Sequence, residues 1–357
     1  MSRIVTLALA LLSCATAAFL GINLGNVLEA PVEGAWAPVA QEYYFDDYVS
    51  ANFTRVRIPV RWDKHMGTAP PYTIDATFLA RVKTVVSWCL ARDQLTCLIN
   101  SQCVPLVKRP RAAERQLNSH SPHLPLCPRD CFSHDDWIGS APNASFPSAL
   151  PRFVALWTQV AAAFADAPPS LLFEVINEPV DPLSLANLNA MYAAVVPVMR
   201  STNPTRTIYL GGLSWMSPVW IQNNPDAIVF PPLAGGGADA NLALEIHSYD
   251  PYAFCLQNPP TQASWGTPSD VAVVTSMYAA AAKWGANHGG KKVYMGEAGC
   301  QVVAARAGRL VWYRTVGKAA QSIEGITIWD DFGDYKIYNR DNRTWDTGVL
   351  DALFGRG

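Results

Sequence analysis

The sequence predicts a single-domain α/β protein, a (β/α)8 TIM barrel, and three observations carry that prediction. Eight apolar runs of strand length recur along the 357 residues, at 19–23, 54–59, 95–100, 171–176, 207–210, 243–247, 292–296 and 323–329. Segments with apolar residues at helical spacing lie between them, among them 75–91, 150–164, 183–200, 270–284 and 304–320. Alternating strands and helices build a parallel sheet, and eight repeats are enough to close it. Polar side chains, two glutamates above all, also gather where the runs end. That is the face on which such barrels place their chemistry. A doubly wound open sheet is the rival architecture. No glycine-rich phosphate turn follows the first run, which counts against its nucleotide-binding form.

Taken in order, the chain opens on an export signal. Met1-Ser-Arg supplies positive charge, residues 4–12 are apolar, and Cys14-Ala-Thr-Ala-Ala18 offers small residues for cleavage. The apolar stretch is short for a membrane span. Residues 1–18 are therefore expected to be removed, leaving 19–357 as a secreted barrel with no membrane association. Three acceptor sequons, at Asn52, Asn143 and Asn342, fit export. The first strand then runs from Phe19, almost at the mature terminus. The second carries Arg57 at its end. Asp75 is positioned as the N-cap of the helix that follows.

After the third strand the rhythm breaks. Residues 103–147 are rich in Pro, Ser, Arg and His and lack periodicity, as in an insertion on the active-site face. The fourth strand leads into Asn177-Glu178-Pro179, and Trp215 follows the fifth. His247 and Tyr249 follow the sixth. Glu297 ends the seventh, in Met-Gly-Glu-Ala-Gly, and Trp329 ends the eighth. Any one of these has a structural reading: an ion pair for Arg57, a satisfied core histidine for His247, packing for Trp329. Their convergence on one mouth favours a site. Two carboxylates facing each other there are what glycosidic cleavage needs, one to protonate the leaving oxygen and one to attack the sugar carbon.

Composition narrows the classes. Hydrophobic residues are 50% and charged residues 16%, which supports a large core. The 27 basic and 29 acidic side chains leave a net charge of −2 and no basic stripe, so nucleic acid is not an expected partner. No coiled-coil seam is visible, and a monomer is expected. No metal or organic cofactor is required by this chemistry.

An ordered series of motifs gives a resemblance. Gly21-Ile-Asn-Leu-Gly-Asn-Val-Leu-Glu-Ala-Pro31, Val56-Arg-Ile-Pro-Val-Arg-Trp62 and Phe173-Glu-Val-Ile-Asn-Glu-Pro179 come first. Ile246-His-Ser-Tyr-Asp-Pro-Tyr252, Trp265-Gly-Thr-Pro268 and Tyr294-Met-Gly-Glu-Ala-Gly299 follow. Together they resemble glycoside hydrolase family 5, in the branch of bacterial endo-β-1,4-glucanases and mannanases. The resemblance implies Glu178 as general acid/base and Glu297 as nucleophile. It implies that Asn177 holds the sugar 2-hydroxyl, and that Arg57 and Tyr249 bond Glu297. His247 would join the network around the carboxylates, Trp329 would floor the reacting sugar, and Trp215 would stack an aglycone sugar. Asn26 and Glu29 would bind glycone hydroxyls. Arg57 beside Glu297 is expected to lower the pKa of that carboxylate, while the charge of Glu297 raises that of Glu178.

The chain also departs from that pattern. A histidine pair is expected after the third strand, where this sequence has Gln102 and Cys103. Gln102 can still donate to a sugar hydroxyl but cannot titrate. Asp330, Asp331 and Asp334 add charge near the mouth. Within the insertion, His120, His123, Cys127, Cys131 and His134 have spacing compatible with zinc. In an exported protein Cys127 and Cys131 are expected in disulfides instead, one of them to Cys103.

The leading reading is a secreted, retaining, endo-acting β-glycosidase on β-1,4-glucan, with a polysaccharide or oligosaccharide as its partner. A β-mannanase, a β-1,3 or mixed-linkage glucanase, or an exo-acting enzyme with its cleft walled by the insertion are the near alternatives. A carbohydrate-binding barrel without useful turnover is the alternative of a different class, motivated by Gln102 and Cys103.

Overall fold

The structure, a computed structural model, describes residues 18–101 and 138–356. Eight parallel strands close into a barrel in sequence order. They are β1 Phe19–Asn23, β2 Arg55–Ile58, β3 Thr96–Asn100, β4 Leu171–Glu174, β5 Ile208–Gly211, β6 Leu242–His247, β7 Val293–Ala298 and β8 Gly325–Ile328. Closure is made by β8 against β1, with Phe19 opposite Gly325 and Ile22 opposite Ile328. All eight predicted runs are strands.

The helices follow their start signals. In Ala76–Leu90 the Asp75 carboxylate caps the first turn, accepting from the Phe78 amide at 2.7 Å. Pro268–Asn287 opens on a capping box between Thr267 and Asp270, with Pro268 in the first turn. The helix expected at 150–164 starts earlier, at Phe146, with Pro147 in its first turn. Tyr43–Ser50 and Thr347–Leu353 are helices outside the predicted set. Each is only about two turns long, too short for a periodicity to register, and is held by packing of residues such as Tyr44, Phe45, Val349 and Leu353.

Strand alternation sorts the core into two parts. Outward residues such as Ile22, Val56, Ile99, Phe173 and Ile246 pack under the helices. Inward residues fill the barrel. At its floor lie Leu98, Leu172, Tyr209, Ala243 and Tyr294, with Phe19 against them. Above the floor the inward side chains turn polar: Asn23, Arg57, Asn100, Glu174 and Glu245 are all fully buried. Branched apolar residues usually fill this space in such barrels.

Cys255 and Cys300 form a disulfide joining the loops after β6 and β7, and Cys89 and Cys97 are free and buried. Gln102, Cys103, the His120, His123, Cys127, Cys131 and His134 group, and the export signal lie outside the described residues. Among the described residues no helix is long and apolar enough to cross a membrane.

Candidate active site

Each strand that ends at the mouth delivers its polar residue by its own local rule. On β2, alternation points Arg55 and Arg57 into the barrel. On β6 it does the same for Glu245 and His247. On β7 simple alternation from the inward Tyr294 would turn Gly296 in and Glu297 out. A register shift prevents this: Ile246 pairs with Met295, but the next residue, His247, pairs with Glu297. Gly296 is thus the extra residue of a bulge, and the bulge re-aims Glu297 into the mouth. No other residue type fits there. A Cβ on Gly296 would lie 1.7 Å from Glu245 Oε1 and 2.8 Å from His247 Nε2. Glu178 is set by a different device, a left-handed backbone (φ 44°) between Asn177 and Pro179.

Arg57 is the hub. It is fully buried, and its Nε and Nη2 form a forked pair with Glu174 at 2.7 and 2.8 Å. Nη1 donates to Glu297 Oε1 at 2.6 Å and to Asn23 Oδ1 at 3.0 Å, and Nη2 also donates to Asn177 Oδ1 at 2.6 Å. Glu297 Oε2 accepts from the Tyr249 hydroxyl at 2.7 Å. Glu178 Oε1 lies 2.9 Å from His247 Nδ1. One oxygen of Glu178, one of Glu297 and a His247 ring nitrogen all fall within 4.8 Å of one another. The side chains of Glu178 and Glu297 keep small exposures, 13% and 7%, at the surface of a network that is otherwise closed.

The charge states follow from this geometry. Burial pushes the Glu178 carboxyl well above the usual range, and the charge of Glu297 adds to the shift against an opposing pull from Arg57. Glu297 corrects the expectation of a net lowering. Burial is the largest influence and raises it, while Arg57 and then the Tyr249 hydroxyl pull it back. Arg57 and the Tyr249 hydroxyl both donate to Glu297, whereas Glu178 meets the neutral His247 ring, so the hydrogen bonds favour the anion on Glu297 and the proton on Glu178. Burial and the charge of Arg57 hold the His247 pKa well below its ordinary value, so the ring is neutral. Burial keeps Tyr249 protonated and a donor.

The remaining expected residues surround this centre. The Trp329 ring lies over Gly25, whose absent Cβ would come within 3.2 Å of it, and the Trp329–Asp330 peptide is cis. Trp215 sits in a left-handed run with Ser214 and Met216, is 45% exposed, and donates its amide to Pro179 O beside Glu178. Asn26 is also left-handed and donates its side-chain amide to Asp330 at 2.7 Å. Glu29 is 1% exposed, and its carboxylate accepts from the amides of Asn26 and Val27. It shapes the loop that carries Asn26. Burial raises its pKa to about 7.

Glu174 and Glu245 were not foreseen. A signal existed: each is an acidic residue inside an apolar strand, an even number of positions before Glu178 or His247. Two triads, Glu174/Glu245/His247 and Glu178/His247/Glu297, bring ligand-type atoms together. The Arg57 guanidinium already lies within 3.6 Å of Glu174, Glu245 and Glu297, so it holds the place a cation would take.

A model of the cellulases, glycosyl hydrolase family 5, matches residues 20–331. The chain belongs to glycosyl hydrolase family 5. Endoglucanase H of Acetivibrio thermocellus is 36% identical over 345 residues, which cover 95% of this chain and 33% of that protein. The chain thus spans one third of that relative's length. Structures of Thermotoga maritima Cel5A in complex with cellobiose and with mannotriose are also similar. Each is 26% identical, with a TM-score of 0.75, covering 95% of this chain and 98% of theirs. The family 5 barrel accounts for the architecture.

Proposed function

We propose that residues 19–357 form a secreted, monomeric β-glycosidase that cleaves β-1,4-linked glucan within the chain and retains anomeric configuration. One observation carries the reading: two carboxylates with unequal proton affinity have oxygens within 4.8 Å of each other. Carboxyl groups about 5 Å apart leave no room for a water between the second carboxylate and the anomeric carbon, which favours direct attack by that carboxylate. Glu178 protonates the leaving oxygen while Glu297 attacks the anomeric carbon, giving a glycosyl ester on Glu297. Esterification removes the charge of Glu297, so the proton affinity of Glu178 falls and it then takes a proton from the attacking water. Arg57 and Tyr249 aim Glu297. Asn177, held by Arg57, is placed for the 2-hydroxyl of the sugar. Trp329 floors the reacting sugar, Trp215 offers its face to the aglycone, and Asn26 faces the glycone.

The glucan assignment is supported by the endoglucanase name of the relative and the cellobiose complex. The mannotriose complex of the same neighbour makes β-mannan the second substrate to test. The deciding experiment incubates the protein with β-glucans and mannans beside Glu178→Gln and Glu297→Gln, and follows reducing ends and product anomers. Release of the retained anomer, lost in both variants, is expected. Inverted product, or binding to every polymer without release, overturns the proposal.

A further inference from the structure

The carboxyl of Glu245 has no place in the double displacement, yet it occupies the centre of the barrel. It is fully buried and cannot touch substrate. Its Oε1 lies 3.3 Å from His247 Nε2 and 3.6 Å from Arg57 Nε. Space for it exists only because β7 bulges at Gly296, which has no Cβ to meet Oε1. Its second oxygen, Oε2, has no hydrogen-bond partner among the described residues. A buried carboxyl kept at this cost, beneath the histidine that touches the acid, points to a role exerted through that histidine.

His247 is neutral and carries one ring proton. Its two nitrogens face two carboxyl groups, Glu178 at Nδ1 and Glu245 at Nε2. If the proton sat on Nδ1 it would donate to Glu178 and stabilise the carboxylate, which lowers that group's proton affinity. If it sits on Nε2, the Nδ1 lone pair accepts from a protonated Glu178 and the acid is stabilised in its loaded form. We propose that Glu245 is a positioning residue that accepts the Nε2 proton of His247, fixes that tautomer, and so keeps Glu178 loaded for the first step. A carboxyl oxygen keeps a lone pair in both protonation states, so the acceptor role does not depend on the charge of Glu245. The charged and titratable groups around Glu245 and His247 are Arg57 from β2, Glu174 from β4, Glu178 after β4, Glu297 and Tyr294 from β7, and Tyr192 from the helix Leu185–Arg200. Glu174, the other carboxyl within 4.8 Å of a His247 ring nitrogen, has both its oxygens held by the Arg57 guanidinium at 2.7 and 2.8 Å, which leaves Glu245 as the carboxyl within hydrogen-bond distance of Nε2.

The inference rests on the assignment of Glu178 as acid, and the test separates the two. Ring nitrogen shifts of His247 are read by ¹⁵N NMR on the intact protein. The Nε2–H tautomer is expected in the native chain and in Glu245→Gln, whose carbonyl still accepts, and a loss of that preference in Glu245→Met. In kinetics, Glu245→Met is expected to lower kcat about tenfold or more with KM little changed. It should also move the alkaline limb of the kcat/KM profile to lower pH, while Glu245→Gln restores both. An Nδ1–H tautomer in the native protein overturns the proposal even if no variant folds. An unchanged tautomer and alkaline limb in a folded Glu245→Met also overturns it. If the native chain hydrolyses no glycan, the functional assignment fails, and the tautomer measurement still decides this one.

Discussion

Arg55 and Arg57 stand two residues apart on β2, point into the same barrel and are both almost inaccessible, yet they do different work. Arg55 lies among aromatic rings at the floor, 3.2 Å above the centre of Phe19 and 4.9 Å from that of Tyr294. It donates to Thr96 and Tyr209 at 3.0 Å and reaches one carboxylate, Glu324, at 3.4 Å. Arg57 stands one level higher and meets Glu174, Glu245 and Glu297. The floor sets two cations, Arg55 and Lys292, against the one carboxylate of Glu324 and covers Arg55 with aromatic faces. The upper level sets one cation against several carboxylates, and that imbalance raises proton affinities. Position along a strand, not residue type, separates a plug from a site.

The comparison is broken most directly at the two glutamates. Glu178→Gln and Glu297→Gln are expected to lose about 10³-fold or more in kcat with the fold intact, as circular dichroism and reducing-end assays will show. Comparable loss from Arg55→Met would erase the distinction between floor and mouth.

The two arginines come next. Arg57→Met leaves buried carboxylates without their cation and should cost about 3–5 kcal/mol in denaturant unfolding together with activity. Arg55→Met removes ring contacts and a pair whose glutamate keeps 14% exposure, so about 1–3 kcal/mol is expected with kcat retained. Equal losses in both would refute the contrast.

A pH series sharpens it. Glu29, at the mouth, has a folded pKa of about 7 against an ordinary 4.5. The folded chain therefore binds more protons than the unfolded chain between those values, and stability falls as pH rises through that window, by about 3 kcal/mol in total. Unfolding of Glu29→Gln at pH 5 and pH 8 should show a flatter dependence. A slope equal to that of the native chain would remove Glu29 as the source.

The smallest expected effect is in the activity profile. Glu297 must be ionised and Glu178 protonated, so activity rises with pH through the first and falls through the second. Both limbs of kcat/KM are expected above the ordinary glutamate range, because burial raises both groups. An alkaline limb near 4.5 would contradict the burial argument.

Much of the fold and of the site is legible in the sequence. The eight strand runs, the Asp75 cap and the strand-end positions of Arg57, Glu178, His247 and Glu297 are local patterns, set by backbone sterics and spacing. The helix Tyr43–Ser50 was too short to signal, and the disulfide partner of Cys255 could not be chosen from the cysteines present. Glu174 and Glu245 were hidden because an acid inside an apolar strand reads as an interruption until the partner that neutralises it is known.

Sequence by itself determined that the chain alternates strand and helix, and which polar groups arrive at one end of the strands. Tertiary structure alone decided that Arg57 and Glu297, 240 positions apart, would share a hydrogen bond, and that a bulge at Gly296 would turn Glu297 inward and open space for Glu245. The physical reason is range. Propensity and periodicity act over a few residues, whereas proton affinity depends on burial and on neighbours that only barrel closure brings together.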